Sequence, residues 1–245
     1  MRKQWFEEWF ETNYYKLLYN QRDIEEANQF GLTLSTYLKL QPLAKILDVG
    51  CGRGRYSNAF MELGYDVTGI DISIKKIEEN LKFQNENLHF YKHDMRRLFR
   101  INYFDAVLSL FTSFGYFESY SDEKSAARSM AANLKWGAYL VIDYLNPHEL
   151  TKNFIPNDEF EKEGINFNIF RTLHPNYVRK EIYINDHGKI LNFKEQVRLY
   201  KVNDLITLFE PFEMKFLHSF GNYKLEKFEA DVSERMILIF QKTKS

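Results

Sequence analysis

The chain has 245 residues with 11 Gly, 5 Pro, one Cys, a formal net charge of -1 and 17% aromatic residues. That length allows one large core, or a core plus a small accessory unit, and 44% apolar residues with little Gly or Pro exclude a disordered or collagen-like chain. A single Cys makes neither an internal disulfide nor a Cys-cluster zinc site, so a reducing cytoplasm is expected, and near-zero charge removes the electrostatic footprint of a general nucleic-acid binder.

The start, MRKQWFEEWFE, carries acids and no uninterrupted apolar stretch, so no signal peptide is predicted. No apolar run reaches the ~18 residues of a membrane span. Residues 1 to about 40 predict helix, because Trp5 and Trp9, Phe6 and Phe10, Tyr14 and Leu18, and Tyr15 and Tyr19 are all i,i+4 pairs. Gly31 suggests a break between two helices near residues 28–32, and Pro42 closes the segment. A short strand follows at Lys45–Val49, then a Gly-rich turn and a helix over 56–63 with Gly64 at its C-terminal cap. Strands at 66–70, Leu88–Lys92, 104–110 and 138–144 alternate with helices at 74–85 and 122–134. Such alternation predicts an α/β fold with a doubly wound, mostly parallel sheet.

The pattern changes after Pro147. Ile165–Leu173, Tyr177 to Asn185 and Lys189 to Tyr200 read as strands, joined by hairpin turns at His174-Pro175-Asn176 and Asp186-His187-Gly188. Leu191, Phe193, Val197 and Leu199 fall on one face of the last of them. A three-stranded antiparallel appendage is therefore expected. The chain then returns to its first style with a helix at Val202–Phe209 and strands at Met214–Phe220 and Arg235–Lys242. The expected division is a helical cap over 1–41, a Rossmann-like core over 42–150 and 201–245, and an inserted β lid over 151–200.

Three of the eleven glycines fall in Asp48-Val49-Gly50-Cys51-Gly52-Arg53-Gly54, between a strand and a helix. Glycine there lets the backbone turn sharply and approach a ligand without Cβ obstruction. Asp71 ends the next strand, about 20 residues on, where an acid can grip ribose hydroxyls, although it could equally cap the following helix. The dinucleotide fingerprint G-x-G-x-x-G would need glycine at Arg55, which disfavours a nicotinamide oxidoreductase. The spacing is instead Gly-x-Gly-x-Gly, with an acid two residues before the first Gly.

At these residues the chain resembles the class I S-adenosylmethionine-dependent methyltransferases. ILDVGCGRGRYS is similar to their first motif, VTGIDIS to the second, FYKHDM to the third and FDAVLSLFTSFGYF to the fourth segment, in the family's order. The resemblance covers residues 45–145 well and the last strands loosely. It implies a seven-stranded sheet and S-adenosylmethionine as cofactor, with S-adenosylhomocysteine as product. The cofactor contacts it implies are Asp48, Gly50, Cys51, Gly52, Gly54, Asp71, Ile72, Asp94, Met95, Leu110 and Phe111, with Asp71 at the ribose and Asp94 and Met95 at the adenine. Tyr15 and Tyr19 lie in an aromatic N-terminal segment similar to the one that closes over the cofactor in small-molecule members.

The acceptor chamber is expected over the C-terminal strand ends, at the switch point. Its candidates are Tyr14, Ser113, Phe114, Tyr144, Asn146 and Arg171, with Tyr116, His148 and His174 as candidates for proton transfer. Thr112 and Asp143 stand at the same strand ends. Trp5, Phe6, Trp9 and Phe10 fit helix packing, His174 fits a turn, and the basic stretch 92–100 fits a solvated surface. The only Cys lies in the cofactor turn, which excludes carbon-5 pyrimidine chemistry by a cysteine nucleophile, and Phe111-Thr112-Ser113-Phe114 replaces the Asp/Asn-Pro-Pro-aromatic motif of exocyclic-amine enzymes. No metal carboxylate stands at that point, so no metal is expected. The function expected is methyl transfer to a nitrogen or oxygen of a small molecule, by a monomer or homodimer without nucleic-acid or membrane partners. Methylation of a modified tRNA nucleoside, or cofactor binding without catalysis, stay open as alternatives.

Overall fold

The computed structural model describes residues 4–19 and 24–244; the remaining parts of the helix expected over 1–40 lie outside the described residues. In chain order the elements are α1 (Trp5–Trp9), α2 (Asn13–Leu18), α3 (Ile24–Leu38), β1 (Lys45–Val49), α4 (Arg55–Glu62), β2 (Asp66–Asp71), α5 (Ile74–Leu81), β3 (Leu88–Lys92), β4 (Phe104–Ser109), α6 (Tyr120–Asn133), β5 (Leu134–Leu145) and α7 (Pro147–Lys152). Strands β6 (Asn157–Lys162), β7 (Ile165–Leu173), β8 (Tyr177–Asp186) and β9 (Lys189–Arg198) follow. Helix α8 (Val202–Phe209) and strands β10 (Met214–Phe220) and β11 (Arg235–Lys242) end the chain.

Seven strands form one sheet in the order β10-β11-β5-β4-β1-β2-β3. Pairings from β5 through β3 are parallel, whereas β11 runs antiparallel to both β5 and β10. This is the doubly wound, Rossmann-like sheet that the alternation predicted. The central strands are nearly continuous apolar runs because both faces are covered. Met130 of α6 and Leu205, Leu208 and Phe209 of α8 pack on one face, and Phe30 of α3, Phe60 of α4 and Ile77 of α5 on the other. Helix starts follow their caps: Ser73 accepts from the Lys76 N–H before α5, and Ser119 from the Asp122 N–H before α6. Among the described residues, no helix is long and apolar enough to cross a membrane.

The structure corrects three expectations. Helix α3 runs unbroken through residues 28–32, because Gly31 serves helix contact: a Cβ there would lie 3.4 Å from Leu63 and 3.8 Å from Ala59 Cβ. Strand β5 starts at Leu134 rather than 138, carrying Gly137 within it. The second sheet has four strands, not three, in the order β6-β7-β8-β9. The added strand, NDEFEK, is an edge whose charges hide its period; only Phe160 marks the inner face, stacked on Phe167 at 5.4 Å. The inner face of this sheet (Phe167, Ile169, Ile182 and Ile184) packs on Trp9 and Leu17, so it makes a small core with α1 and α2.

Candidate functional site

A cavity of about 660 Å³ lies across the C-terminal ends of β1 to β5, roofed by α1, α2 and the second sheet. Its floor is the turn after β1. The Gly50 and Cys51 N–H groups both donate to the Ile70 carbonyl (2.8 and 3.0 Å), which pins the turn to β2. Gly50 and Gly52 have φ of 74° and 56°, the left-handed region that only glycine enters freely. A Cβ on Gly50 would lie 2.7 Å from Ser113 Cβ, whereas one on Gly52 would meet nothing within 4 Å. The open space at Gly52 is cavity, a cradle that glycine leaves for a ligand. Cys51 is buried, and burial pushes its thiol well above the usual range, so it is unsuited to act as a nucleophile.

Three acids border this floor. Asp48 is buried and accepts from the Ser57 hydroxyl at 2.6 Å; desolvation pushes its pKa to about 6 in spite of that bond. Asp71 accepts from the Gly52 N–H (2.9 Å) and the Ser73 N–H (2.8 Å), so it organises the turn while its side chain lines the cavity. Burial works against the charge of Asp94, but Arg96, bound through Nε (3.0 Å) and Nη2 (2.6 Å), holds its pKa below the usual carboxylate range. Met95, Ile72, Leu110 and Phe111 complete the lower wall. This donor set fits a ligand with ribose hydroxyls, an adenine and a cationic amino acid tail.

The roof is aromatic. Phe10 contacts Tyr15 and Tyr116 with ring centroids 4.9 and 5.3 Å away, and Tyr15 contacts Tyr19 at 4.8 Å. One carboxylate is set among these rings. Glu195 of β9 lines the cavity, is 5% exposed, and accepts from the Trp9 indole (2.5 Å) and the Tyr19 hydroxyl (2.7 Å), with the Lys180 ammonium 3.3 Å away. Burial and Glu195 together raise the Tyr19 pKa, so Tyr19 keeps its proton and donates. Lys76 sits over Phe10 and Tyr15, 5.0 and 4.9 Å from their centroids.

Of the candidates from sequence, Asp48, Gly50, Cys51, Gly52, Asp71, Ile72, Asp94, Met95, Leu110, Phe111, Tyr15, Tyr19, Ser113 and Tyr116 all line this one cavity. Thr112 lines it too, and the other candidates lie away from it. Gly54 caps α4 against Phe90. Phe114 is core, and the buried Tyr144 hydroxyl donates to the Arg198 carbonyl at 2.8 Å. Asn146 caps α7 and donates to the Ala230 and Ser233 carbonyls. Tyr14 donates to Asp186, and Arg171 pairs with Asp158 at the edge of the second sheet. His148 is half exposed beside Asp231, and His174 stacks on Tyr177 at a hairpin. Each is held by a partner that strand-end position alone could not reveal. The basic stretch is engaged locally, Arg96 with Asp94 and Asp122, and Arg100 over Tyr103.

Residues unforeseen from sequence are Glu195, Lys180, Lys76 and Arg235. The signal for Glu195 was present: it shares the apolar parity of Leu191, Phe193 and Val197. Arg235 opens an apolar last strand and pairs with the buried Asp143. Among the described residues, no three His, Cys, Asp or Glu side chains cluster as metal ligands would.

A family model described as a methyltransferase domain matches residues 46–137. A Streptomyces venezuelae protein, dTDP-3-amino-3,4,6-trideoxy-alpha-D-glucopyranose N,N-dimethyltransferase, is 26% identical over 204 residues, covering 80% of this chain and 82% of its own. Further curated relatives, glycine N-methyltransferases among them, are matched over about half of their length or less. The fold is similar to that of an S-adenosylmethionine-dependent methyltransferase from Clostridium acetobutylicum, with a TM-score of 0.79, 18% identity, and coverage of 95% of this chain and 97% of that one. It is also similar to S-adenosylmethionine-bound CalS10, an amino pentose methyltransferase from Micromonospora echinaspora, with a TM-score of 0.66, 19% identity, and coverage of 91% and 93%.

Proposed function

We propose that this chain, a class I S-adenosylmethionine-dependent methyltransferase, methylates an amine nitrogen of a small molecule. The observation that carries the nitrogen is Glu195, a buried carboxylate set among the aromatic rings of the cavity roof. Relatives whose names specify amino-sugar and glycine nitrogen support the same reading.

Cofactor and acceptor divide the cavity between them. S-adenosylmethionine supplies a methyl group already activated on a sulfonium, so no covalent catalyst is needed. Gly50, Gly52, Asp48 and Asp71 would hold its amino acid and ribose parts, and Asp94 and Met95 its adenine. Aromatic faces of Phe10, Tyr15 and Tyr116 exclude water and attract positive charge. An aliphatic amine arrives as an ammonium and must release a proton before its lone pair can form a bond. Glu195 is the roof carboxylate able to bind that ammonium and take the proton. Tyr19 and Lys180 hold the Glu195 carboxylate in place. The helical cap and the β insert (151–200) form the acceptor-binding lid, the core binds the cofactor, and the protein works in the cytoplasm on metabolites rather than nucleic acid.

Calorimetry with S-adenosylhomocysteine, followed by labelled methyl transfer to paired acceptors, tests the reading. Amino sugars and simple amines should take the label and their hydroxyl counterparts should not. Label on the hydroxyl member of a pair alone would overturn the nitrogen assignment, and failure to bind S-adenosylhomocysteine would overturn the whole reading.

A further inference from the structure

Phe111 and Thr112, at the end of β4, are two consecutive non-glycine residues in the left-handed region, with φ of 55° and 57°. Side chains disfavour that conformation, and it persists only where surrounding contacts over-determine it. Both residues line the cavity, and the next, Ser113, donates to the Leu110 carbonyl at 2.8 Å and lies 3.2 Å from the Gly50 carbonyl. A strained turn therefore forms the wall between the cofactor floor and the acceptor roof.

Its contacts converge on one buried ion pair. Asp143, wholly buried on β5, accepts from the Phe111 N–H through Oδ2 (2.7 Å) and from the Thr112 N–H through its carbonyl (2.9 Å). Arg235 of β11 meets Asp143 Oδ1 through Nε and Nη2, both at 2.8 Å, and donates from Nη2 to Thr112 Oγ1 at 3.1 Å. The Tyr223 hydroxyl donates to the second oxygen, Oδ2, at 3.0 Å. The Phe111 ring lies between two guanidiniums, 5.4 Å from Arg235 and 5.4 Å from Arg55. Register explains the meeting: Ile237 opposes Asp143, and Arg235, two residues before it, shares its face. A buried ion pair is weak evidence for stability, because desolvation offsets most of the attraction. Here both members of the pair also bond the turn directly.

We propose that Asp143 and Arg235 are positioning residues that hold the Phe111–Thr112 turn in its strained form and so set the cofactor-facing wall of the cavity. They act through that turn. The inference rests on the methyltransferase reading, with the cofactor lying against this wall.

The test uses Asp143→Asn, Arg235→Met and the conservative Arg235→Lys, with Leu208→Ala as a core variant remote from the cavity. S-adenosylhomocysteine affinity is measured by calorimetry well below each melting temperature, alongside the Tm of the free protein. Asp143→Asn and Arg235→Met should weaken binding about tenfold or more, Arg235→Lys should recover part of it, and Leu208→Ala should lower Tm with affinity within about twofold of the parent. If one of the first two fails to fold, the other with Arg235→Lys decides. Affinity within about twofold for the pair variants would overturn the proposal and leave the pair purely structural. A parent protein that does not bind S-adenosylhomocysteine would instead overturn the cofactor reading.

Discussion

Trp9 donates its indole N–H to Glu195 at 2.5 Å, across 186 residues of sequence. The bond ties α1 to β9, and with the Tyr19 hydroxyl on the same carboxylate it joins the N-terminal helices and the second sheet into one roof. Trp9→Phe keeps most of the buried ring area and removes one donor from a buried charge. It should cost about 1–3 kcal/mol, the range for leaving a buried acceptor short of a partner, read from urea unfolding. A change within about 0.5 kcal/mol would mean that Lys180 and Tyr19 already satisfy the carboxylate.

Glu195→Gln keeps shape and hydrogen-bonding capacity but removes the charge. With an amine acceptor, KM should rise about ten- to hundredfold, the equivalent of one charge-assisted hydrogen bond, and kcat should fall with loss of the base, while S-adenosylhomocysteine affinity stays within about twofold. Equal losses in acceptor KM and S-adenosylhomocysteine affinity would assign Glu195 to holding the roof rather than to the acceptor.

Asp48 makes stability depend on pH in a definite direction. Burial raises its folded-state pKa from the ordinary carboxylate value to about 6. Between those values the folded protein binds more protons than the unfolded chain, so stability falls as pH rises through this window. Relative to Asp48→Asn, the parent should lose about 2 kcal/mol between pH 4 and pH 6, most of the linkage that ~1.4 kcal/mol per pKa unit allows. Denaturant unfolding of both proteins at several pH values reads the difference. A difference that does not change with pH would show that Asp48 is no more desolvated in the folded protein than in the unfolded chain.

The floor of the cavity was legible because it is written locally. Gly50, Gly52 and Gly54 declare backbone geometry, and Asp71 and Asp94 stand at fixed offsets from strands with a clear period. The acceptor half depends on pairings distant in sequence. Tyr144 looks like a strand-end site residue until Arg198 takes its hydroxyl, and Asn146 until α7 starts on it. Glu195 breaks an apolar face, a cue that means little until Trp9 arrives from the other end of the chain. Strand β6 shows the same limit: Phe160 alone cannot reveal a period, and its place follows from pairing with β7.

Gly52 separates ligand space from backbone strain. Its φ is 56° and a Cβ there would meet no protein atom within 4 Å. Gly64, at φ 89°, is equally unobstructed but does not line the cavity. Leucine at either position forces a side chain into the left-handed region at a cost of about 1–2 kcal/mol, or roughly 2–8 °C in Tm for a chain of this size. Both Gly52→Leu and Gly64→Leu should therefore fold with similar, modest losses of stability. Only Gly52→Leu sends its side chain into the cavity proposed to hold the cofactor, so calorimetry should detect no S-adenosylhomocysteine binding to it, against near-parent affinity for Gly64→Leu. Binding by Gly52→Leu at parent affinity would place the cofactor away from the turn and with it displace the assignments of Asp48 and Asp71.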